Sequence, residues 1–293
     1  MLYTIQNEHL TLTVNDMGAE IWSIVHRGAE YLWQGDPTYW SGRAYNLFPI
    51  CGRLTEGKYT WQGKTYEMNL HGFARKSQYT MVAQTETSLT FRLETSEESL
   101  AVYPFDFCLD LTYTLEGKTI RTTFAVQNRG TEGMPFAIGA HPGFNLPLGG
   151  DGCFEDWRLE FACKKDNVRR FVLSDTRYLT REPSVPFEHI VDGKVIPLRH
   201  NLFDNDAFFL ENVCKTVTLC SDKSDRSVTV HYPDMQYLGV WHAPQTEAPY
   251  VCIEPWYSLP AYDGEIDDFS TKRDMMVLDG GAKFESSFTI TVA

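Results

Sequence analysis

A two-residue hydrophobic period recurs almost from end to end of this chain, and it restricts the fold more than any other feature. Leu10, Leu12 and Val14 alternate with Thr11 and Thr13, and Leu89, Phe91 and Leu93 alternate with Thr90 and Arg92. The longest stretch runs Phe107, Leu109, Leu111, Tyr113 and Leu115, turns at Glu116-Gly117, and resumes with Ile120, Thr122, Phe124 and Val126. Successive side chains of a strand point to opposite faces, so this stretch predicts a long hairpin with one apolar face. Tyr59–Trp61 with Lys64–Tyr66, about a Gln62-Gly63 turn, predicts a second hairpin. Val217 and Leu219 with Val228, Val230 and Tyr232 predict a third. Phe288, Ile290 and Val292 close the chain in the same alternation. No apolar stripe at helical spacing runs for several turns without Gly or Pro. The pattern predicts an all-β protein of about 20 strands, built as a sandwich or as several packed sheets.

Across the 293 residues there is no Ser/Gly-rich or Pro-rich tract, charge block or repeat that reads as a linker, so residues 1–293 are expected to form one domain. Gly149–Gly152 reads only as a loop. The formal net charge of −13 repels phosphate backbones and anionic lipid, which argues against a nucleic-acid or membrane partner and is compatible with a sugar. Seven cysteines without a C-x-x-C pair fit neither a secreted disulfide framework nor a zinc ribbon. The N-terminus alternates rather than forming a continuous apolar run, and no stretch approaches the ~20 apolar residues of a membrane helix. A cytoplasmic location is expected.

The alternation breaks at five places where special residues gather: Asn46–Arg53, His71–Arg75, Gly139–Asn145, Asp204–Phe209 and Cys252–Tyr257. Each has a plain structural reading. His71 beside Gly72 reads as a turn histidine, His141-Pro142-Gly143 as a tight turn with a cis proline, and Asp204-Asn205-Asp206 as an Asx turn. Glu254 is hardest to dismiss, because a carboxylate between an apolar strand and Pro255-Trp256 needs a partner or a task. Two histidines, a glutamate, an aspartate and an arginine among aromatics suit acid–base work on a polar, uncharged substrate. Metal-ligand spacings such as H-x-H, the G-x-S-x-G nucleophile motif and the glycine-rich nucleotide motifs are all absent. Asp206 with Glu254 leaves a glycosidase open as a minor alternative.

The segments F-P-I-x-G-R-L (Phe48–Leu54), H-G-F-A-R (His71–Arg75), G-A-H-P-G-F-N (Gly139–Asn145), N-D-A (Asn205–Ala207) and I-E-P-W (Ile253–Trp256), in this order, resemble the aldose 1-epimerase, or galactose mutarotase-like, family and within it the LacX-like branch. The resemblance implies an antiparallel β-sandwich of the supersandwich type and a cofactor-free, metal-free isomerase of free aldoses, monomeric or homodimeric. It implies Glu254 as catalytic base, His141 as catalytic acid, and Arg53, His71, Asp206 and Arg75 as substrate-binding residues. Arg75 belongs to a motif shared with the hexose-6-phosphate epimerase branch. A phosphosugar substrate therefore turns on whether two of Arg43, Arg53 and Arg75 converge. A non-catalytic carbohydrate-binding protein is the third reading, although it has no use for an acid–base pair. The mechanism so implied expects a cationic His141, an anionic Glu254 and a bell-shaped pH dependence.

Overall fold

The computed structural model describes residues 1–150 and 152–293; Asp151, within the Gly149–Gly152 loop of the sequence reading, lies outside the described residues. The predicted hairpins form in the expected register, with Leu115 opposite Ile120, Trp61 opposite Lys64 and Leu219 opposite Val228. Along Thr119–Asn128 half-buried and buried residues alternate without a break, the signature of a strand with one face on a core. Short edge strands, some of two or three residues, carry too little sequence to show a period, and they raise the total among the described residues to 25. Among the described residues the one α-helix, Glu97–Val102, is capped by Ser96 and spans six residues.

Two large sheets dominate. One has nine strands, with Lys283–Val292, Thr119–Asn128, Phe107–Glu116 and Ser88–Glu94 as consecutive neighbours; the other has seven and carries the chemistry. From its edge inward the seven-stranded sheet runs Ala44–Leu47, Gly139–Asn145, Tyr250–Trp256, Tyr237–Trp241 and Phe208–Glu211, followed by two short strands. All strand pairs described in both sheets are antiparallel; among the described strands the one parallel pairing, Asp267–Asp268 with Lys58–Trp61, lies in a small third sheet. Leu238, Val240, Val251, Ile253, Ala140, Phe144, Phe208 and Leu210 on one face of the seven-stranded sheet join Leu109, Phe124, Val230 and Ile290 of the nine-stranded sheet in one buried cluster. That is a sandwich core. The opposite face of the seven-stranded sheet is covered in turn by loops, so Tyr250–Trp256 is buried at every position. This second covering builds the site.

Two expectations are corrected. His141-Pro142-Gly143 is not a turn but the middle of a strand, and the cis peptide bonds precede Pro49 and Pro147 instead. Cys163 and Cys214, on the exposed loops flanking Trp157–Phe161 and Thr216–Ser221, are joined as a disulfide, while the other five cysteines are free. The odd count gave no hint of this pair, because the 51 residues between them are closed up only by strand pairing. Among the described residues no helix is long and apolar enough to cross a membrane.

Candidate active site

Strand register brings the central residues together. Tyr45 lies opposite His141, Glu254 opposite Gly239, and Gly239 opposite Phe209. Gly139 opposite Trp256 and Gly143 opposite Cys252 bracket the remaining step, and the same register puts His141 across from Glu254. Ladder pairing lapses between those brackets, where Pro142 and Pro255 have no N–H to donate. The result is a row of five residues across five strands on one face. Directly opposed residues have Cβ atoms about 5 Å apart, close enough for His141 Nε2 to approach Glu254 Oε1 to 3.4 Å. Gly239 leaves the space they need, since a Cβ there would stand 3.3 Å from both the Glu254 Cβ and the Phe209 ring.

Loops supply the rest. The backbone N–H of His71 donates to the Gly52 carbonyl (2.7 Å), and the Gly52 N–H donates to His71 Nδ1 (3.0 Å). This reciprocal clamp joins the first two motifs and puts the His71 proton on Nε2, free for the cavity. His71 and Gly72 both have left-handed backbones, and a Cβ at Gly72 would fall 2.1 Å from the Phe48 carbonyl oxygen. The Asp206 carboxylate does not cap its own turn as an Asx turn would. Its Oδ1 accepts from the Trp241 indole (2.8 Å), and its Oδ2 faces Arg53 at 3.6 Å and Arg177 at 3.8 Å. Arg75 lies over the Tyr45 ring, 4.8 Å from its centroid.

These groups line one cavity of about 200 Å3. That is below the roughly 300–1,000 Å3 of drug-sized sites, so it suits one sugar ring rather than a chain. All six residues singled out in the sequence, Arg53, His71, Arg75, His141, Asp206 and Glu254, are on its wall. Trp40, Tyr45, Trp241 and Arg177 line it too and were missed. A glycine two residues before Trp241, inside an apolar strand, was a legible mark of close approach; Arg177, in a loop without a motif, left none.

Burial governs the charges. Glu254 is 1% exposed, its Oε1 has no hydrogen-bond partner among the described residues, and desolvation, helped by the Asp206 charge, holds its pKa well above the ordinary carboxyl value. Desolvation, with Arg75 nearby, pulls His141 down to about 3. His71 is likewise pushed well below the imidazole range, first by burial and then by His141, Arg75 and Arg53. Burial therefore works against the expected cation–anion pair. It favours a neutral His141 and a protonated Glu254, because a charge alone is costly to bury. The pair holds one proton in either form, and the 3.4 Å contact is the path along which it moves. His141, Cys252 and Glu254 also place ligand-type atoms within 4.8 Å of one another. Burial raises the Cys252 thiol well above its usual range, so a cation there would have to displace tightly held protons.

Comparison with known proteins agrees with this architecture. A family model described as aldose 1-epimerase matches residues 1–261. The LacX protein of Lactococcus lactis subsp. lactis is 38% identical over an alignment covering 100% of this chain and 99% of that protein. A galactose mutarotase-like protein from Lactobacillus casei ATCC 334 superposes with a TM-score of 0.94 at 30% identity, covering 100% of both chains. A galactose mutarotase related enzyme from Lactobacillus acidophilus gives 0.92 at 34%, over 100% of this chain and 97% of that one. On the motifs, the sandwich and these matches together, the chain belongs to the aldose 1-epimerase family.

Proposed function

We propose that this protein interconverts the α and β anomers of an aldose by acid–base opening and reclosure of the sugar ring. The observation that carries this reading is the 3.4 Å approach of His141 Nε2 to Glu254 Oε1 on the wall of an aromatic-lined cavity. The O1 hydroxyl and the ring oxygen of a pyranose are bonded to the same carbon. The group that takes a proton from one and the group that gives a proton to the other must therefore lie this close together.

With the shared proton on His141, the Glu254 carboxylate accepts the O1 proton while His141 Nε2–H donates to the ring oxygen. The bond from C1 to the ring oxygen breaks as the C1 carbonyl forms. Rotation about C1–C2 presents the other face, and closure reverses both transfers. No covalent intermediate and no cofactor is needed, and the pair ends with the one proton it began with. His71 Nε2–H, Arg53 and Arg75 donate to sugar oxygens, while Asp206 Oδ2 accepts. Trp40, Trp241 and Trp256 offer ring faces to the C–H surfaces of the sugar. The site is built within one chain, so a monomer suffices.

Polarimetry on freshly dissolved α-D-glucose and α-D-galactose, with wild type and His141→Asn, tests this. A faster approach to the same final rotation, slowed by about 10²–10⁴ in the variant, is the expected result. Full rate in the variant would remove His141 from the acid role. Sugar binding without any acceleration would favour the carbohydrate-binding protein.

A further inference from the structure

An acid–base histidine is ordinarily aimed by a hydrogen bond at its second ring nitrogen, from a carboxylate or a carbonyl. His141 lacks one. Its Nε2 faces Glu254 at 3.4 Å, but Nδ1 makes no hydrogen bond to another residue among those described, and the polar contact it keeps is to its own main chain. Rings surround it instead. Trp40 lies nearly along the imidazole plane, with centroids 4.9 Å apart at 32°. Trp241 (5.6 Å), His71 (5.4 Å) and Tyr45 (6.1 Å) meet it edge to face. Orientation of the acid therefore falls to packing, and Trp40 makes the one stacked contact among the described residues.

The loop that carries Trp40 is fastened to the His141 strand at both ends. The Trp33 N–H donates to the Gly143 carbonyl (2.9 Å), and the Gly143 N–H donates to the Arg43 carbonyl (2.8 Å). Inside the loop the Trp33 indole donates to the Trp40 carbonyl (2.8 Å), and the Trp40 N–H donates to the Asp36 carbonyl (3.0 Å). Glycines let the indole settle: a Cβ at Gly143 would stand 3.0 Å from its ring, and one at Gly42 2.6 Å. Under this cover His141 is only 7% exposed, although it lines the cavity. The arrangement suits a reaction that must run both ways. A carboxylate at Nδ1 would hold a positive charge on His141 and oppose return of the proton to Glu254. An indole carries no charge, so it orients the ring without fixing the proton, while its π face still favours an imidazolium when one forms.

We infer that Trp40 is the positioning residue of the acid: its indole, in place of a hydrogen bond at Nδ1, holds the His141 ring on the line to Glu254 and keeps water off it. The inference rests on the epimerase reading above and adds the residue through which His141 is aimed. Wild type, Trp40→Phe and Trp40→Leu are compared by two measurements. Two-dimensional exchange NMR gives kcat and KM for anomer exchange of glucose and galactose, and imidazole NMR of isotope-labelled, sugar-free protein follows the His141 titration. In Trp40→Leu kcat should fall by about 10²-fold, the cost of misplacing a reacting group by about 1 Å, with KM changed less. Trp40→Phe keeps a smaller flat ring and should retain more of the rate. The His141 titration, near pH 3 in wild type, should move up toward ~6.5 as water reaches the ring. Glu254, Cys252, His71, Tyr45 and Arg75 are the titratable or charged groups about His141. All five stay in both variants, so the movement reports the lost cover. A rise in KM with kcat unchanged would make Trp40 a platform for the sugar alone and overturn the inference. A His141 titration unmoved in both variants would overturn it equally. Should Trp40→Leu not fold, Trp40→Phe carries both measurements in the same directions. No turnover of either sugar by wild type would sink the epimerase reading instead, and the His141 titration would still decide whether Trp40 holds and covers that ring.

Discussion

Replacing Glu254 by Gln should make the protein inactive and, at neutral pH, more stable. Gln has nearly the same shape, so packing against Gly239 and the 3.4 Å approach to His141 are retained. The loss is the capacity to exchange a proton, worth about 10²–10⁴ in rate. The stability effect comes from the raised pKa. The unfolded chain releases the Glu254 proton near 4.5, whereas the folded protein keeps it. Above 4.5 Glu254 thus keeps a proton in the native state that the unfolded chain has released, and its contribution to stability falls by about 1.4 kcal/mol per pH unit until the folded pKa is reached. Two units of pH give up to about 3 kcal/mol. Gln carries no such term, and His141, with its pKa lowered to about 3, is neutral across this range. Urea unfolding of both proteins at pH 5 and pH 7 measures the difference, and polarimetry measures the rate. The variant should gain on wild type as pH rises. A difference independent of pH would mean that Glu254 titrates normally in the folded state. A variant that loses ground as pH rises would mean that the folded site sheds its shared proton more readily than the unfolded chain does, and the burial argument would be wrong.

The same protonation logic predicts kcat/KM without an acid inflection near 6.5, since the pair takes up its second proton only near 3 on His141 and loses its last from the raised Glu254; a one-proton fall at about 6.5 would contradict it. Trp241→Phe removes the 2.8 Å donor to Asp206 Oδ1, so KM should rise by about ten- to hundredfold, with kcat changed less, in steady-state anomer exchange. Gly72→Ala adds a Cβ 2.1 Å from the Phe48 carbonyl at a φ of 74°, and should cost more than the ~1–3 kcal/mol of strained backbone alone; an unchanged melting temperature would show that the His71 loop relaxes freely.

The alternation of Thr119–Asn128 or Phe107–Glu116 is a local property, because one residue decides which face the next must take. The sequence alone therefore determined the all-β class, the three hairpins and their registers. The five breaks in alternation were equally legible, since glycine, proline and histidine stand out against a two-residue period. What they did together was not. His141 faces Glu254 only through a register spanning more than 110 positions of sequence, and Pro142 reads as a turn until that pairing is known. Arg177, Trp40 and Trp241 carry no motif and reach the cavity because the strands and covering loops bring them there. The Cys163–Cys214 bond likewise exists only because paired strands bring two distant loops together. Protonation is decided last, because the pKa values of His141 and Glu254 follow from the water removed around them. Residue type supplied the groups, while tertiary packing, by setting distance and solvent, decided which carry charge.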